Sequence, residues 1–557
     1  MSAQMYVFSE SQRKQLMLNP RLGAGNYLRL ARPLYDESCE PSVFTNTETT
    51  LCKGESVKEL TVHDLYKITG RVAVWYKRQG VECCDTVGVY CDDGLNYIIH
   101  FTALTSIGAV PVLTNGMMPP HIAAAHFKNV KAKMVVSDGA RIKHLVPLLK
   151  NDIKVVNLAK QKFPDEALSD EEYFEHVGNS PIMITHSSGT TGVPKAVVLH
   201  HEQWFFGIRD LLKKPHAQGI ERYLNALPSS HNSSIAFVIH CILSGSSVLI
   251  PSSRDGQTVS NLIESYQPST VSAFPSTYVD LALNFCDKKE FSSVNTWINS
   301  GDAAHERHVR ELVKHGHHYR GNTEIKGSQF VDGLGSSEMG HISFRVIHTP
   351  YTTNYRRCVG FPQEWVDFKI FGKDGKELAH GETGMLGIKS PSITPGYWNN
   401  SNLTYKSRIK GYWLTGDMVY TDRNGRVYHV DRITDVIETK DGPCYSLLTE
   451  ESVLANNSYL EECTVVGCLD EKSRDLSIPV AYVVPESGCE LPEESILAEI
   501  NEKLVKDGLM EMGHLFRVNH DDIPKGITGK VLKRELRDRF AETAKTDSAA
   551  KATADPR

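Results

Sequence analysis

No segment of this 557-residue chain stays apolar for the ~18 residues that a bilayer-crossing helix requires, so no membrane span is expected. A basic start followed by an apolar run is also missing. Met1 to Leu16 instead alternates polar and apolar residues, which gives no secretory signal and leads us to expect a cytoplasmic protein. Surplus positive charge is absent too. Against 61 Lys and Arg stand 67 Asp and Glu, a formal net charge of -6 that offers no electrostatic footprint for nucleic acid. The 12 cysteines contain no CxxC pair and only Cys83 and Cys84 adjoin, so free thiols are expected in place of a zinc site or a disulfide framework. Without secretion, the sequons at Asn400, Asn402 and Asn456 carry no weight. No internal repeat is seen in the sequence, and no fused carrier module is expected.

What is present is an ordinary globular composition, 40% hydrophobic and 23% charged, in a chain too long for a single core. Two or more domains and a sizeable cleft are therefore expected. Val62, Leu65, Ile68 and Val72 recur at helical spacing between the capping Thr61 and Gly80, which predicts an amphipathic helix. Short apolar runs alternate with such segments at Thr86 to Tyr90, Met134 to Ser137, Ile182 to Thr185, Ser247 to Ile250 and Thr270 to Phe274. That alternation predicts α/β layers with largely parallel sheets. After Asp431 the strands shorten, at Cys463 to Val466 and Pro479 to Val484, with a helix around Ser495 to Lys506. We expect an α/β fold with a large N-terminal domain of layered β-sheets and helices (1-430) and a small mobile α+β C-terminal domain (431-540). The tail 541-557 lacks aromatics, Leu, Ile and Val, and is expected to be disordered.

From Ile182 to Lys195 the chain reads as a strand running into small hydroxyl residues and glycines closed by a lysine. Glycines let backbone N–H groups face an anion, hydroxyls add donors, and the lysine adds charge, a set suited to a triphosphate. The P-loop pattern is different, because there Gly-Lys-Ser/Thr leads straight into a helix.

The string Ser187-Ser188-Gly189-Thr190-Thr191-Gly192-Val193-Pro194-Lys195 resembles the phosphate motif of the adenylate-forming superfamily: acyl-CoA synthetases, aryl-acid ligases, luciferases and peptide-synthetase adenylation domains. Further motifs follow in family order from about Val62 to Leu536. They are Asp85 to Tyr90, Ser106 to Val112, Ser300 to Ala304, Asp332 to Glu338, Trp413 to Asp417, Val430 to Asp435 and Pro524 to Lys530.

The resemblance implies ATP-dependent activation of a small carboxylic acid to an acyl-adenylate with release of pyrophosphate. Transfer to a thiol follows, on coenzyme A or on the phosphopantetheine of a carrier protein. It assigns nucleotide contacts to Ser187 through Gly192, Lys195, Gly301, Asp302, Ala303, Asp332, Gly333, Leu334, Gly335, Ser336 and Ser337. Asp417, acceptor-only when ionised, can take hydrogen bonds from both ribose hydroxyls, and Arg432 can donate to the same sugar. Glu338 is the expected Mg²⁺ ligand, since that hard cation takes carboxylate and phosphate oxygens together. Lys530 is the expected catalytic lysine, an ammonium between the attacking carboxylate and the α-phosphate. His231, also assigned to the catalytic set, is expected with Asn232, Ser233 and Gly333 in the acid pocket. The cluster His315 to His318 has no companion ligands nearby and reads as a solvated loop.

Three departures stand out. Leu334 replaces the tyrosine that commonly covers adenine, so apolar packing would hold the base. Thr434 and Asp435 occupy the hinge, where relatives carry Asp or Lys. The glycine of the thiol tunnel falls one place late, at Gly442, behind Asp441, which leaves coenzyme A or a carrier protein open. His231-Asn232 stands where amino-acid-activating domains carry an aspartate for the ammonium, so a non-amino acid is expected, aromatic or hydroxylated ahead of aliphatic. The alternatives are a non-catalytic nucleotide-binding homologue and a luciferase-like oxygenase.

Overall fold

A computed structural model describes residues 7–37, 39–40, 42–150, 152–186, 194–213, 221–301, 304–321, 323–353, 355–469, 476–526 and 531–541. The first amphipathic helix forms where the apolar spacing places it, Val62–Arg78, with Thr61 and Asp64 closing a capping box. The five apolar runs become strands Thr86–Tyr90, Met134–Ser137, Pro181–His186, Ser247–Ile250 and Thr270–Ala273. Their side chains are buried on both faces or nearly so, as parallel strands between helices require.

Two sheets build the large N-terminal part. A six-stranded sheet runs in the order Lys154–Asn157, Met134–Ser137, Thr86–Tyr90, Val110–Leu113, Pro181–His186, Ala196–His200, parallel except for its last pair. That antiparallel pair brackets the segment 187–193. The second sheet has 14 strands. Its parallel half passes through Arg222–Ala226, Thr270–Ala273, Thr296–Asn299 and Gln329–Leu334. Beyond Gln329–Leu334 every pairing is antiparallel, which the expectation of largely parallel sheets did not include. In the pair Tyr412–Thr421 and Val427–Arg432 the reason is local: a tight turn, Asp422 to Arg426, in which the Asp422 carboxylate accepts from the N–H groups of Asn424 and Arg426, leaves no length for a crossover helix.

After Arg432 the chain builds a separate small core on a three-stranded sheet, Leu460–Leu469, Ser477–Pro485 and His514–Arg517, with helices Ser446–Asn456 and Glu493–Lys506 packed on it. The architecture is the expected large α/β part plus a small α+β part. All 12 cysteines are free thiols, and no helix among the described residues is long and apolar enough to cross a membrane. The histidine cluster corrects one expectation. His317–Arg320 is a strand, and His318 is buried with Nδ1 on the Gly327 carbonyl oxygen, because pairing with Thr323–Lys326 turns alternate residues inward. No metal-holding group of three His, Cys, Asp or Glu exists among the described residues.

One buried ion pair joins the two parts. His305 Nδ1 lies 2.7 Å from Glu451 Oε2, and Oε1 of the same carboxylate accepts from Glu306 N–H at 3.0 Å. Burial alone would push Glu451 up, but His305 outweighs it and holds the carboxyl down at about 2. Burial likewise disfavours the imidazolium, yet Glu451 raises His305 above its ordinary 6.5. The pair therefore stabilises docking fully between pH 4.5, the ordinary value of Glu, and pH 6.5. Stability is lost as pH falls toward about 2 and as pH rises through the raised value of His305. Glu451→Gln is expected to weaken docking by about 1–3 kcal/mol. Faster proteolysis of the connector after Arg432, most evident near pH 6, checks this.

Candidate active site

The two parts enclose one large cavity of about 1610 Å³. At one end stands Asp417, on strand Tyr412–Thr421 and 1% exposed, directly opposite Arg432 in the antiparallel ladder with Val427–Arg432. Arg432 Nη1 donates to its Oδ1 at 2.6 Å, and His429 Nε2 lies 3.4 Å from the same oxygen. Arg357 donates to His429 Nδ1 at 3.3 Å, which assigns the imidazole proton to Nε2, facing the carboxylate. Burial would raise the Asp417 pKa, but Arg432 and His429 hold it well below the carboxylate range. Its Oδ2 is buried and has no hydrogen-bond partner among the described residues. The result is an ionised acceptor with lone pairs for a diol.

Beside it lies the segment from Asp332 to Glu338, all of it lining the cavity. Asp332 accepts from Asn299 Nδ2 at 3.0 Å and from Gly333 N–H at 2.8 Å; burial nevertheless raises its pKa. Gly333 cannot be another residue, since a Cβ there would sit 2.0 Å from the Phe344 carbonyl oxygen. Leu334 is buried among Phe344, Met339 and Val359, an apolar wall in place of an aromatic plane. Gly335, Ser336 and Ser337 complete the turn, with Ser336 Oγ accepting from Met339 N–H at 3.3 Å. Glu338 Oε1 accepts the Tyr397 hydroxyl at 2.9 Å, and Lys195 Nζ stands 5.5 Å from the Tyr397 ring centroid. The Tyr397 hydroxyl is pushed up by burial and by Glu338, and so stays protonated as the donor.

At the other end, His231 caps helix Asn232–Ser244 by accepting from Ser233 N–H at 3.3 Å, and its ring meets Phe274 edge-on at 5.4 Å. His231, Asn232 and Ser233 all line the cavity. Asn232 is buried, and its Oδ1 has no hydrogen-bond partner among the described residues. Gly301 has φ +90°, and a Cβ there would reach Phe274 at 2.7 Å, so only glycine preserves this wall.

Several expected site residues lie outside the described residues: Ser187, Ser188, Gly189, Thr190, Thr191, Gly192, Asp302, Ala303, Lys530 and tail residues 542–557. Their described neighbours His186, Pro194, Gly301, Ala304, Gly526 and Val531 line the cavity. Asp441 and Gly442 do not; Asp441 is exposed at the tip of the hairpin Ile437–Thr439 to Gly442–Cys444. Sequence reasoning missed Tyr397, His429 and Arg357. Tyr397 had a usable signal, the aromatic pair Tyr397-Trp398 behind Pro395-Gly396, whereas the other two become site residues only through strand pairing.

A buried ionised carboxylate with an unpartnered oxygen, a glycine-rich turn, and Lys195 and Glu338 on either side of Tyr397 all line one cleft, and the family match places the chain in the adenylate-forming class of enzymes. The chain belongs to the AMP-binding enzyme family, whose model matches residues 42–398. It is 34% identical over 555 residues to a 3-aminoavenalumate diazotase of Streptomyces sp, covering 96% of this chain and 99% of that protein. It is 24% identical over 533 residues to a 4-coumarate–CoA ligase of Nicotiana tabacum, covering 91% and 94%. The crystal structure of an anthranilate CoA ligase in complex with anthranoyl-AMP has the same fold, with a TM-score of 0.79 at 18% identity over 96% of this chain and 100% of that one.

Asp417→Asn replaces charge-assisted acceptors with neutral ones, and is expected to weaken AMP binding by about 1–3 kcal/mol. Calorimetric titration checks this, and an unchanged affinity would count against Asp417 as the diol acceptor.

Proposed function

We propose that the chain uses ATP to adenylate a small oxyacid in this cleft, releasing pyrophosphate, and passes the activated group to a nucleophile held in the same cavity. The observation that carries the reading is Asp417, a buried ionised acceptor whose Oδ2 lacks a partner at the edge of a cavity lined by the family's motifs. Asp417 and Arg432 bind the ribose. Asp332, Gly333 and Leu334 receive the base, and Gly335 to Ser337 with Lys195 and the segment 187–192 receive the phosphates. Glu338 suits a magnesium ion, because it offers a carboxylate within a cleft where triphosphate oxygens supply the remaining ligands. When bound, that ion neutralises phosphate charge.

Lys530 is assigned to the transition state, between the attacking oxygen and the α-phosphate. Gly526 and Val531, which flank its loop, line the cleft in support of this. The part beyond Asp435 is assigned as a lid that turns on the connector Arg432 to Asp435. Lys530→Ala is expected to abolish adenylation while keeping nucleotide affinity, since the charge acts mainly in the transition state. Pyrophosphate exchange near the wild-type rate would remove the assignment.

Two acceptors fit. In the first reading the acid is a carboxylic acid and the acceptor is the thiol of coenzyme A or of a carrier-protein phosphopantetheine. Asp441 is exposed and outside the cavity lining, so its own carboxylate does not face that thiol in this arrangement. A second reading, favoured by the 34% identity to a diazotase across nearly both full chains, makes the acceptor an aryl amine. Diazotisation needs a nitrogen at the oxidation level of nitrous acid, HO–N=O, itself a small oxyacid. Its oxygen would attack the α-phosphorus and expel pyrophosphate. The amine nitrogen would then attack the activated N=O nitrogen as AMP leaves, and the N-nitroso product would lose water to give the diazonium, with no external oxidant or reductant.

ATP–pyrophosphate exchange separates the readings. Exchange driven by benzoate, salicylate or medium-chain fatty acids, followed by thioester formation with coenzyme A, supports the first, whereas preference for an α-amino acid would remove the expected non-amino substrate. AMP release driven by nitrite with an aryl amine, and azo coupling of the product, supports the second. ATP turnover with neither set would overturn the proposal.

A further inference from the structure

The cavity has a second charged feature that neither acceptor chemistry uses. Arg345 lies on strand Phe344–His348, directly opposite Gly333 in the antiparallel ladder, so its side chain leaves the sheet on the face where Gly333 presents no side chain. Arg345 lines the cavity and is half-buried. Its Nε is buried without a hydrogen-bond partner among the described residues. Burial pushes the guanidinium down from its ordinary value, and Asp210 opposes that shift.

Among the described residues, no hydrogen bond or ion pair joins Asp210 to Arg345. Asp210 stands on helix His201–Lys213 with Oδ2 3.5 Å from His341 Nε2, and His341 in turn stacks on Trp365 at 5.7 Å. The helix presses close, since a Cβ at Gly207 would meet the His341 ring at 3.1 Å. The lining of the same cavity includes the apolar side chains of Trp204, Leu211, Val331 and Ile342. A half-buried guanidinium with unmet donors on a cavity wall binds a planar anion bidentately, and discriminates against a ligand lacking one because its donors would then stay unpaired.

We propose that Arg345 forms a carboxylate subsite in the acid pocket, so that the organic substrate carries a carboxylate that is not its reacting group. The inference rests on the adenylation reading above and deepens it. In the thiol reading the substrate is a dicarboxylic acid with one carboxylate activated and the other on Arg345. In the diazotisation reading it is an aminoaryl carboxylic acid with the amine toward the adenylate.

The test is direct calorimetric titration of the full-length protein with matched ligands: 4-carboxycinnamate against cinnamate, and 3-aminocinnamate against 3-ethylaniline. The wild type is expected to bind the ligand with the added carboxylate at least ten-fold more tightly in at least one pair. Arg345→Gln should erase that preference with an unchanged thermal midpoint and AMP affinity, and Arg345→Lys should keep part of it. Equal binding within both pairs in the wild type would overturn the subsite. So would a preference that survives in Arg345→Gln, or an equal loss of cinnamate binding, which would place Arg345 on the reacting carboxylate. ATP–pyrophosphate exchange on the same preparations keeps the two questions apart. Preference without turnover defeats the proposed function and leaves the subsite standing; turnover without preference does the reverse.

Discussion

The charge pair between Asp417 and Arg432 is the interaction around which the cleft is organised. It joins opposite residues of the last antiparallel ladder of the long sheet, at the point where the chain leaves that sheet for the small core. A buried carboxylate without a partner would protonate, so Asp417 depends on Arg432 and on the His429 that Arg357 orients. The guanidinium of Arg432 remains 45% exposed, which lets one residue serve the carboxylate and still face a ligand. The Asp417 end of the cavity and the connector to the small part thus share a residue.

The remaining chemistry is spread over elements distant in sequence. Glu338 and Tyr397 meet across 59 residues, and His305 and Glu451 across 146. The first contact forms where Tyr397 bridges to Val197 of the six-stranded sheet, and the second where the small part docks on the large one. The cavity is accordingly polar where the nucleotide motifs converge and mixed beyond Gly333, where Trp204 and Val331 share the wall with Arg345.

Much of the large part was legible in the sequence because short apolar runs between amphipathic segments have few other ways to be buried. Thr86 to Tyr90 and Met134 to Ser137 were read residue for residue. The antiparallel half was less legible, since strands such as Asp367–Phe371 bury only alternate or terminal residues and leave a weak pattern. His318 looked solvated because three nearby histidines read as polar, while strand pairing turns one of them inward. Asp417 and Glu338 were legible from their motifs. Arg345, His429 and Glu451 were not, because a lone charged residue on a strand or helix reads as solvent-facing until its partner across the fold is known.

Lys533 gives the small part an internal tie. Its Nζ lies 2.8 Å from Glu450 Oε1 and 2.6 Å from Ser446 Oγ, while the Ser446 hydroxyl donates to Asp431 at 3.1 Å. Three stretches therefore meet at one buried cluster immediately before Arg432, with Lys533 reaching 87 residues back to Ser446 and Ser446 in turn reaching Asp431. For recombination between relatives this sets a rule of inheritance. A crossover placed after Asp431 and before Lys533 would take the acid from one parent and the base from the other, whereas a crossover upstream of Asp431 transfers the connector, the cluster and the C-terminal lysine loop as one heritable block.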